Sequence, residues 1–300
     1  MTKRFPKWRE SKIDLSKLHL QQINQYKIIS YPPAGNDVFE CIGALNTGKK
    51  INFVLKSERG SFANFDNEIK ILNTLNDFPI PKVIETGKIN DFRYIVMSKM
   101  NGEKLSDIFK TNKKVDKARY LFLYGKALAQ IHNLNLKWDK ARQRDVNDVP
   151  NTQLYKDLDN CESEIIEYLK DTKPNIIMDT FIHGDFHYGN ILWQDYQISA
   201  ILDWEYSGLG FKEQDIAWAL VLRPEQQFMD KLEDYKIFLK GYSSVNTFDS
   251  SKLKWCLING LMHFYLMNKN TKNSSYLTKL KSLIEKLKEY NFERIFIKGD

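Results

Sequence analysis

The part of this 300-residue sequence that most restricts its possible folds is residues 181–203, F-I-H-G-D-F-H-Y-G-N-I-L-W-Q-D-Y-Q-I-S-A-I-L-D. A glycine-containing loop there carries His183, Asp185 and Asn190. Two short apolar runs follow the loop, and the second leads directly into Asp203. Because short apolar runs bounded by turn residues are typical of strands, the stretch predicts a polar loop, a short strand pair and an acidic residue at its end.

The loop and Asp203 combine residue types that suit one kind of chemistry. Magnesium takes oxygen ligands, usually only one or two from the protein, and Asn190 and Asp203 offer a neutral and a charged oxygen. Asp185 would then remain to accept the proton of an attacking hydroxyl. The protein-kinase loop H-R-D-x-x-x-x-N, followed by a metal-binding Asp, has the same layout, with Gly184 here in place of Arg. The pattern predicts phosphoryl transfer from a magnesium nucleotide to a hydroxyl, with Asp185 as catalytic base.

The same residues carry a resemblance to a known family. The loop H-G-D-F-H-Y-G-N-I-L resembles the H-G-D-x-H-x-G-N-I-L loop of the aminoglycoside phosphotransferase-like family, and I-L-D-W-E-Y-S-G-L-G-F-K-E-Q-D-I-A resembles its following segment. This resemblance implies that Asp215 is a buried acid that supports the catalytic loop, together with His183. The motif D-W-E-Y-S-G is also similar to that of choline, ethanolamine and thiamine kinases. If the chain is such a kinase, Glu205 would lie near the metal and face a substrate cation.

The resemblance covers roughly residues 26–222 and implies an α/β (α+β) protein with the two-lobed protein-kinase-like fold. We expect a small N-terminal lobe with an antiparallel β-sheet, residues 1–100, that binds the nucleotide. We expect a larger, mainly helical C-terminal lobe, residues 101–300, with the catalytic loop 183–190, the metal ligand Asp203 and the acceptor site.

The first hundred residues contain two further candidate features. Two β-prone runs flank a turn with Gly35 and Asn36, which predicts a hairpin over the nucleotide, although an ordinary hairpin turn gives the same pattern. A strand ends in Lys56, and a helix predicted for residues 61–76 carries Glu68 beside its apolar stripe. A Lys56–Glu68 pair would orient the nucleotide phosphates, as in kinases. The alternative is two exposed charges, which are the norm for these residue types.

The connector between the lobes follows two more strands, predicted near 82–89 and 93–97. The family resemblance places the adenine ring against the backbone of Ser98 and Met100. After Asp203 only eleven residues precede Asp215, too few for a long activation segment, so a regulated protein kinase is not expected. His132 lies one turn from Leu128 on an apolar helix face and is predicted to be a core histidine.

Residues 145–171 are the most acidic part of the chain, with eight carboxylates against two lysines. A charge run of this kind is usually the solvated face of a helix. The alternative is a pocket for a cationic acceptor, with Asp157, Asp159 and Glu162 as candidate substrate residues. The chain as a whole carries a formal net charge of +7, which makes this acidic stretch stand out.

These residues predict an enzyme that uses Mg²⁺ and ATP or GTP to phosphorylate a small, cationic hydroxylated molecule, most simply an aminoglycoside-type antibiotic. A metabolic choline-, ethanolamine- or thiamine-type kinase is the alternative, because of the D-W-E-Y-S-G motif. A catalytically silent nucleotide-binding module is a third possibility. The presence of all four functional residues, Lys56, Asp185, Asn190 and Asp203, argues against it.

The composition of the sequence limits the kinds of partner and the cellular compartment that we expect for this protein. No segment approaches the ~18 uninterrupted apolar residues of a membrane span, and no basic-aromatic pattern or known motif predicts a nucleic-acid partner. The N-terminus has no apolar run after its basic residues, so no signal peptide is predicted. The three cysteines, Cys41, Cys161 and Cys256, have no metal-ligand spacing. They predict buried thiols in a reducing cytoplasm.

Overall fold

A computed structural model of the chain describes residues 9–60, 63–111, 114–155, 158–290 and 292. The backbone forms two compact units. The first comprises the residues up to Gly102 together with Leu192–Gln194 and Ile198–Glu205. The second comprises Glu103–Ile191, Asp195–Gln197 and the residues from Tyr206 onward. Asp203, which the sequence placed with the C-terminal lobe, thus belongs to the first unit.

The first unit is built on a five-stranded antiparallel sheet with the strand order β1-β2-β3-β5-β4. Its strands are β1 (Ile23–Ser30), β2 (Asp37–Leu45), β3 (Lys50–Ser57), β4 (Val83–Ile89) and β5 (Phe92–Ser98). Side chains alternate between the two faces of a strand. On β3, Phe53 and Leu55 are fully buried in a cluster with Phe39, Cys41 and Val96.

The helix α1 (Phe65–Leu72) packs against β5. Phe65 forms a second buried cluster with Ile95 and Met97. The helix is shorter than the predicted 61–76, because the Asn64 side chain caps its first turn and accepts a hydrogen bond from the Asn67 N–H at 3.4 Å. Capping satisfies a backbone donor that has no partner within the helix, so Asn64 fixes where α1 begins.

The second unit is mainly helical. Its helices are α2 (Leu105–Thr111), α3 (Lys117–His132), α4 (Asn160–Asp171), α5 (Lys212–Leu220), α6 (Leu232–Ser243), α7 (Ser250–Asn268) and α8 (Ser274–Glu289). Its short strands β6 (Thr180–Ile182) and β9 (Gly208–Gly210) pair antiparallel on either side of the predicted catalytic loop in the sequence. The antiparallel sheet and the helical second unit confirm the predicted α/β fold class.

The strand pair after the catalytic loop is also present. It consists of β7 (Ile191–Gln194) and β8 (Gln197–Ile201). Asp195 and Tyr196, at the turn, have φ angles of 48° and 61°. Two successive positive φ angles are typical of the tight type I′ hairpin turn. The short hairpin carries the chain from the loop to Asp203.

Two glycines allow α3 and α6 to approach closely. A β carbon at Gly125 of α3 would meet the Phe238 carbonyl oxygen, and one at Gly241 of α6 would meet the Phe122 carbonyl oxygen. The close crossing brings the ends of both helices together, so that the Tyr242 hydroxyl oxygen lies 2.7 Å from Nδ1 of His132. This contact matters because His132 also lies against Asp215, as described below.

One expectation from composition is wrong. Cys41 and Cys256 are buried, but Cys161 is exposed, because it lies on the outward face of α4. Among the helices formed by the described residues, none is long and apolar enough to cross a membrane.

Candidate active site

In the first unit, Lys56 lies at the end of β3 and meets two carboxylates. Its Nζ atom lies 2.7 Å from Oε2 of Glu68 on α1 and 2.8 Å from Oδ1 of Asp203. The Lys56 and Glu68 side chains are buried, and that of Asp203 is one-third exposed. Lys56 therefore connects the sheet, α1 and the segment that follows β8.

The charges in this cluster depend strongly on one another. Burial alone would lower the pKa of Lys56, but the carboxylates of Asp203, Glu68 and Glu205 outweigh it and raise the pKa above its ordinary value. Burial raises the pKa of Glu68, and Lys56 acts in the opposite direction. Three carboxylates around one ammonium leave an excess of negative charge, which favours a further cation.

Glu205 completes the cluster and ties it to the first hairpin. The amide nitrogen of Asn36 donates to both Glu205 carboxylate oxygens at 3.3 Å, and the Asn64 N–H donates to Oε2 at 3.3 Å. Burial raises the pKa of Glu205, with Lys56 opposing this effect. Asn36, predicted to lie near the nucleotide, thus contacts the carboxylate next but one to Asp203.

Arg9, which precedes β1 in the sequence, fixes the turn between β1 and β2. Arg9 donates to the carbonyl oxygens of Gly35 at 3.1 Å and Asn36 at 2.8 Å. The buried carboxylate of Asp37 accepts from the Tyr31 hydroxyl at 2.6 Å and from Arg59 at 2.9 Å. Gly35 itself is exposed, so its backbone is accessible on the surface of this turn.

The predicted adenine contacts lie at the end of β5. The Ser98 N–H donates to the Lys82 carbonyl oxygen at 2.9 Å, so it is already used within the sheet. The Ser98 hydroxyl lies 3.7 Å from the Met100 sulfur. Met100 follows the strand and is half-buried.

The first unit offers a donor set that fits magnesium. Ligand oxygens of Glu68, Asp203 and Glu205 all lie within 4.8 Å of one another. Carboxylate oxygens are the ligands that Mg²⁺ prefers, and an excess of negative charge remains after pairing with Lys56. Asp203 has a φ angle of 64°, a left-handed conformation that is uncommon for residues other than glycine and is enriched at functional sites.

In the second unit, the predicted catalytic loop makes a sharp turn at Gly184, whose φ is 76°. A β carbon at this position would meet the backbone of Tyr206, so the arginine found here in protein kinases would not fit. His183 is buried, and its Nδ1 accepts a hydrogen bond from the Asp185 N–H at 3.1 Å. The turn and this bond fix the direction of the Asp185 side chain.

Side chains from several parts of the second unit contact the Asp185 carboxylate. The Trp218 indole N–H donates to Oδ1 at 2.8 Å. Nη2 of Arg144 lies 2.8 Å from the same oxygen, an ion pair whose N–H directions do not meet hydrogen-bond geometry. The Asn190 amide nitrogen donates to Oδ2 at 3.2 Å and to the Asp185 carbonyl oxygen at 3.0 Å. Because the Asn190 nitrogen is used in this way, its side-chain oxygen is the atom suited to a metal.

Asp215 on α5 supports this loop. Its carboxylate accepts from the backbone N–H groups of His183 at 3.0 Å and Gly184 at 3.1 Å. Nε2 of His132 lies 3.1 Å from Oδ2, and the side chains of both residues are fully buried. The acid that the family resemblance implied therefore connects the loop to α3, and through Tyr242 to α6.

Two of the three candidate substrate residues in the acidic stretch, Asp159 and Glu162, stabilise a helix. Asp159 caps α4 and accepts from the Glu162 N–H at 2.8 Å, and Glu162 accepts from the Asp159 N–H at 2.9 Å. Glu162 is also buried, where it accepts from Tyr265 at 2.9 Å and Lys269 at 2.6 Å. Asp157 lies outside the described residues. Asp159 and Glu162 thus stabilise the start of a helix, and their proposed contact with a substrate stays a prediction.

Sequence reasoning missed the residues that surround Asp185. Trp218 lies three positions after Asp215, on the same side of α5, so helical spacing alone could have placed it at the loop. Arg144 had no local signal, since it lies 41 positions before Asp185 in an irregular segment. Arg223, whose guanidinium lies 4.9 Å from the Trp218 ring, is likewise visible only in three dimensions.

The first unit thus contains a lysine–glutamate pair between β3 and α1, and the helical second unit contains an acid-bearing loop. A sequence profile of the phosphotransferase enzyme family matches residues 36–249. The chain belongs to this family, and the resemblance seen in the loop motif is confirmed.

The chain matches its curated relative at low identity and spans less than two thirds of that protein's length. An aminoglycoside 3'-phosphotransferase from Niallia circulans is 24% identical over 168 residues, which cover 51% of this chain and 62% of that protein. The solved ternary complex of a thermostable mutant of aminoglycoside phosphotransferase APH(4)-Ia with AMP-PNP and hygromycin B has a TM-score of 0.59 and 13% identity, covering 92% and 95% of the two chains. Choline kinase LicA from Streptococcus pneumoniae has a TM-score of 0.56 and 15% identity, covering 90% and 95%. At these identities the solved structures establish the fold.

Proposed function

We propose that this chain transfers the terminal phosphoryl group of ATP or GTP to a hydroxyl of a small molecule, with Mg²⁺ as cofactor. The observation that carries the proposal is the Asp185 loop. Asp215 fixes its backbone, while Asn190 and Trp218 fix the Asp185 carboxylate. A carboxylate held by so many contacts is suited to position a hydroxyl for in-line attack.

In the proposed reaction, the acceptor oxygen forms a bond to the terminal phosphorus and the bond to the bridging oxygen of the nucleotide breaks. The acceptor proton passes to the Asp185 carboxylate, and ADP or GDP leaves with the bridging oxygen. Because phosphoryl transfer has a loose transition state, positioning and charge neutralisation provide most of the acceleration.

The residues proposed to bind the nucleotide and its metal ion are as follows. Lys56 would contact the phosphates, and Glu68 would keep its ammonium in place, which their 2.7 Å separation supports. Asp203 and Asn190 would hold Mg²⁺, which neutralises phosphate charge when bound. Gly35 and Asn36 would cover the phosphates. The backbone of Met100 would contact the adenine or guanine base. Ser98 would also contact the base, but not through its N–H, which is already bonded to Lys82.

Relatives supply two candidate acceptor classes. The aminoglycoside 3'-phosphotransferase from Niallia circulans and the APH(4)-Ia complex with hygromycin B favour an aminoglycoside, and the choline kinase LicA favours choline. Glu205 is buried against Asn36 and Asn64, so for a choline-type enzyme we propose that it acts on the metal side of the site. The helix-capping roles of Asp159 and Glu162 give these two carboxylates a structural function, which weakens the sequence argument for a cationic acceptor at these positions.

The test is ADP release by the purified protein with ATP, or GDP release with GTP, across aminoglycosides, macrolides, choline, ethanolamine and thiamine. Acceptor-dependent release that requires Mg²⁺ and disappears in Asp185→Asn supports the proposal. Tight nucleotide binding without release for any hydroxylated acceptor would indicate a catalytically silent nucleotide-binding module instead.

A further inference from the structure

The second unit contains a column of alternating aromatic rings and guanidinium groups that starts at Asp185. The Arg144 guanidinium carbon lies 3.7 Å from the Tyr206 ring centre and 4.5 Å from that of Trp218. Arg223 lies 4.9 Å from Trp218 and 6.0 Å from Phe264. Trp218 and Arg144 contact the same carboxylate oxygen of Asp185, so the column adjoins the proposed catalytic base.

The charge along this column is positive. Arg142 adds a third guanidinium, 5.2 Å from the Tyr206 ring. Arg144 forms an ion pair with the Asp185 carboxylate. His187 adds no charge at neutral pH, because burial, with the nearby arginines, holds its pKa well below the ordinary value. Its Nδ1 accepts from the Gly189 N–H at 3.0 Å, as only an unprotonated nitrogen can.

Arg223 retains donors for a ligand, whereas Arg144 donates through Nε to the Gly184 carbonyl oxygen at 3.2 Å and faces Asp185 through Nη2. Arg223 donates through Nη1 to the Val221 carbonyl oxygen at 3.1 Å and through Nη2 to the Trp218 carbonyl oxygen at 3.0 Å. A guanidinium has five N–H groups, so other donors of Arg223 stay unused by the described residues. Arg144, Trp218 and Arg223 are all half-buried, so each presents part of its surface outward.

We infer that the acceptor carries an anionic group, a carboxylate or a phosphate, beside its reactive hydroxyl, and that Arg144 and Arg223 bind this group. Guanidinium groups pair with planar oxyanions through two parallel N–H donors, whereas an ammonium group at this position would be repelled. Arg144 would contact both the anionic group and Asp185, which brings the neighbouring hydroxyl to the base. This inference rests on the proposed function and names its acceptor class.

The first test uses wild-type protein and four acceptors of similar size. They are 3-hydroxypropanoate and glycerol 3-phosphate, which are anionic, 3-hydroxypropanamide, which is neutral, and 3-aminopropan-1-ol, which is cationic. ADP release should show a lower KM for one or both anions than for the amide, and the highest KM for the amine. The two anions distinguish a carboxylate site from a phosphate site. Equal or better turnover of the amine, kanamycin or choline would overturn the inference and leave the proposed function intact.

The second test removes the positive charge of Arg223. In Arg223→Gln, the KM for the preferred anion should rise at least about tenfold, because a charge-assisted contact is lost, while the KM values for ATP and the neutral amide stay unchanged. Arg223→Lys should recover only part of the loss, since lysine lacks the planar fork. Arg119→Gln is the matched control, because Arg119 is an exposed arginine whose guanidinium likewise lies against an aromatic ring, 4.4 Å from that of Tyr196.

The melting temperature in the presence of the anion distinguishes failure of the anionic-acceptor inference from failure of the proposed phosphotransferase function. The preferred anion should raise the melting temperature of the wild type and of Arg119→Gln, but not that of Arg223→Gln. If no acceptor supports ADP release, the proposed function fails. If neither anion stabilises the wild type, or Arg223→Gln responds like the wild type, the anionic acceptor is wrong whatever the turnover.

Discussion

The ammonium nitrogen of Lys56 donates a hydrogen bond to Oδ1 of Asp203 at 2.8 Å, although 147 positions separate the two residues. The bond holds Asp203 while its backbone adopts a φ of 64°. Strained backbone of this kind persists only where surrounding contacts fix it, and it concentrates at functional sites. The proposed roles of both residues lead to the first prediction.

Asp203→Asn should raise the Mg²⁺ concentration needed for half-maximal activity by at least about tenfold, since even outer partners of metal ligands change affinity by about 10- to 100-fold. Asparagine tolerates a positive φ, so the backbone should be kept. Asp195→Asn is the matched control, because Asp195 also has a positive φ but is exposed at the hairpin turn. An unchanged Mg²⁺ midpoint in Asp203→Asn would remove this residue from the metal site.

Asp185→Asn should lower turnover by about 10²- to 10⁴-fold, the usual contribution of a general base. Asparagine can still accept from the Trp218 indole, so the loop should keep its conformation. The dissociation constant of ATP should match the wild type, as measured by calorimetry. Asp179→Asn, at an exposed position just before β6, should behave as the wild type throughout. More than about a tenth of wild-type turnover would exclude Asp185 as base.

Asp215→Ala should lower the free energy of unfolding by about 2–4 kcal/mol, because it leaves buried backbone donors of His183 and Gly184 without an acceptor. Activity should fall as well, since these donors fix the loop. Tyr242→Phe removes only the hydroxyl next to His132 and should cost about 1 kcal/mol. Urea titrations of both variants provide the measurement. Equal losses would mean that the Asp215 contacts with the loop contribute little.

Asp37 should make stability depend on pH. Burial opposes its charge, but hydrogen bonds from the Lys12 N–H, Tyr31 and Arg59 together hold its pKa below the ordinary value. A carboxyl with a lowered folded-state pKa stabilises the protein above its unfolded pKa, about 3.9, and the contribution is lost as pH falls through the folded value. Asp37→Asn should therefore melt at lower temperature than the wild type at pH 7, with a smaller difference at pH 3. A difference independent of pH would contradict this ionisation.

The parts of the fold that could be predicted are those with local signals. β-prone runs bounded by turn residues predicted β2 and β3, and the order of the loop residues predicted Asp185 and Asn190 before a strand pair and Asp203 after it. The contacts that complete the site join residues far apart in the sequence. Arg144 meets Asp185 only because the irregular segment before α4 returns to the loop, and no periodicity records such a path. Glu162 shows the opposite case, because its acidic neighbours suggested a surface role while its own side chain is buried.

Glu162→Gln decides between the two interpretations of the acidic stretch. The Glu162 carboxylate caps the first turn of α4 and pairs with Tyr265 and Lys269 in a buried setting, so its neutralisation should destabilise the protein by about 1–3 kcal/mol. The acceptor KM should stay within about twofold of the wild type, since the side chain faces the interior rather than a ligand. Glu167→Gln, on the exposed face of the same helix, should change stability by no more than about 0.5 kcal/mol. A raised acceptor KM in Glu162→Gln without loss of stability would restore this residue to a substrate pocket and contradict the capping role.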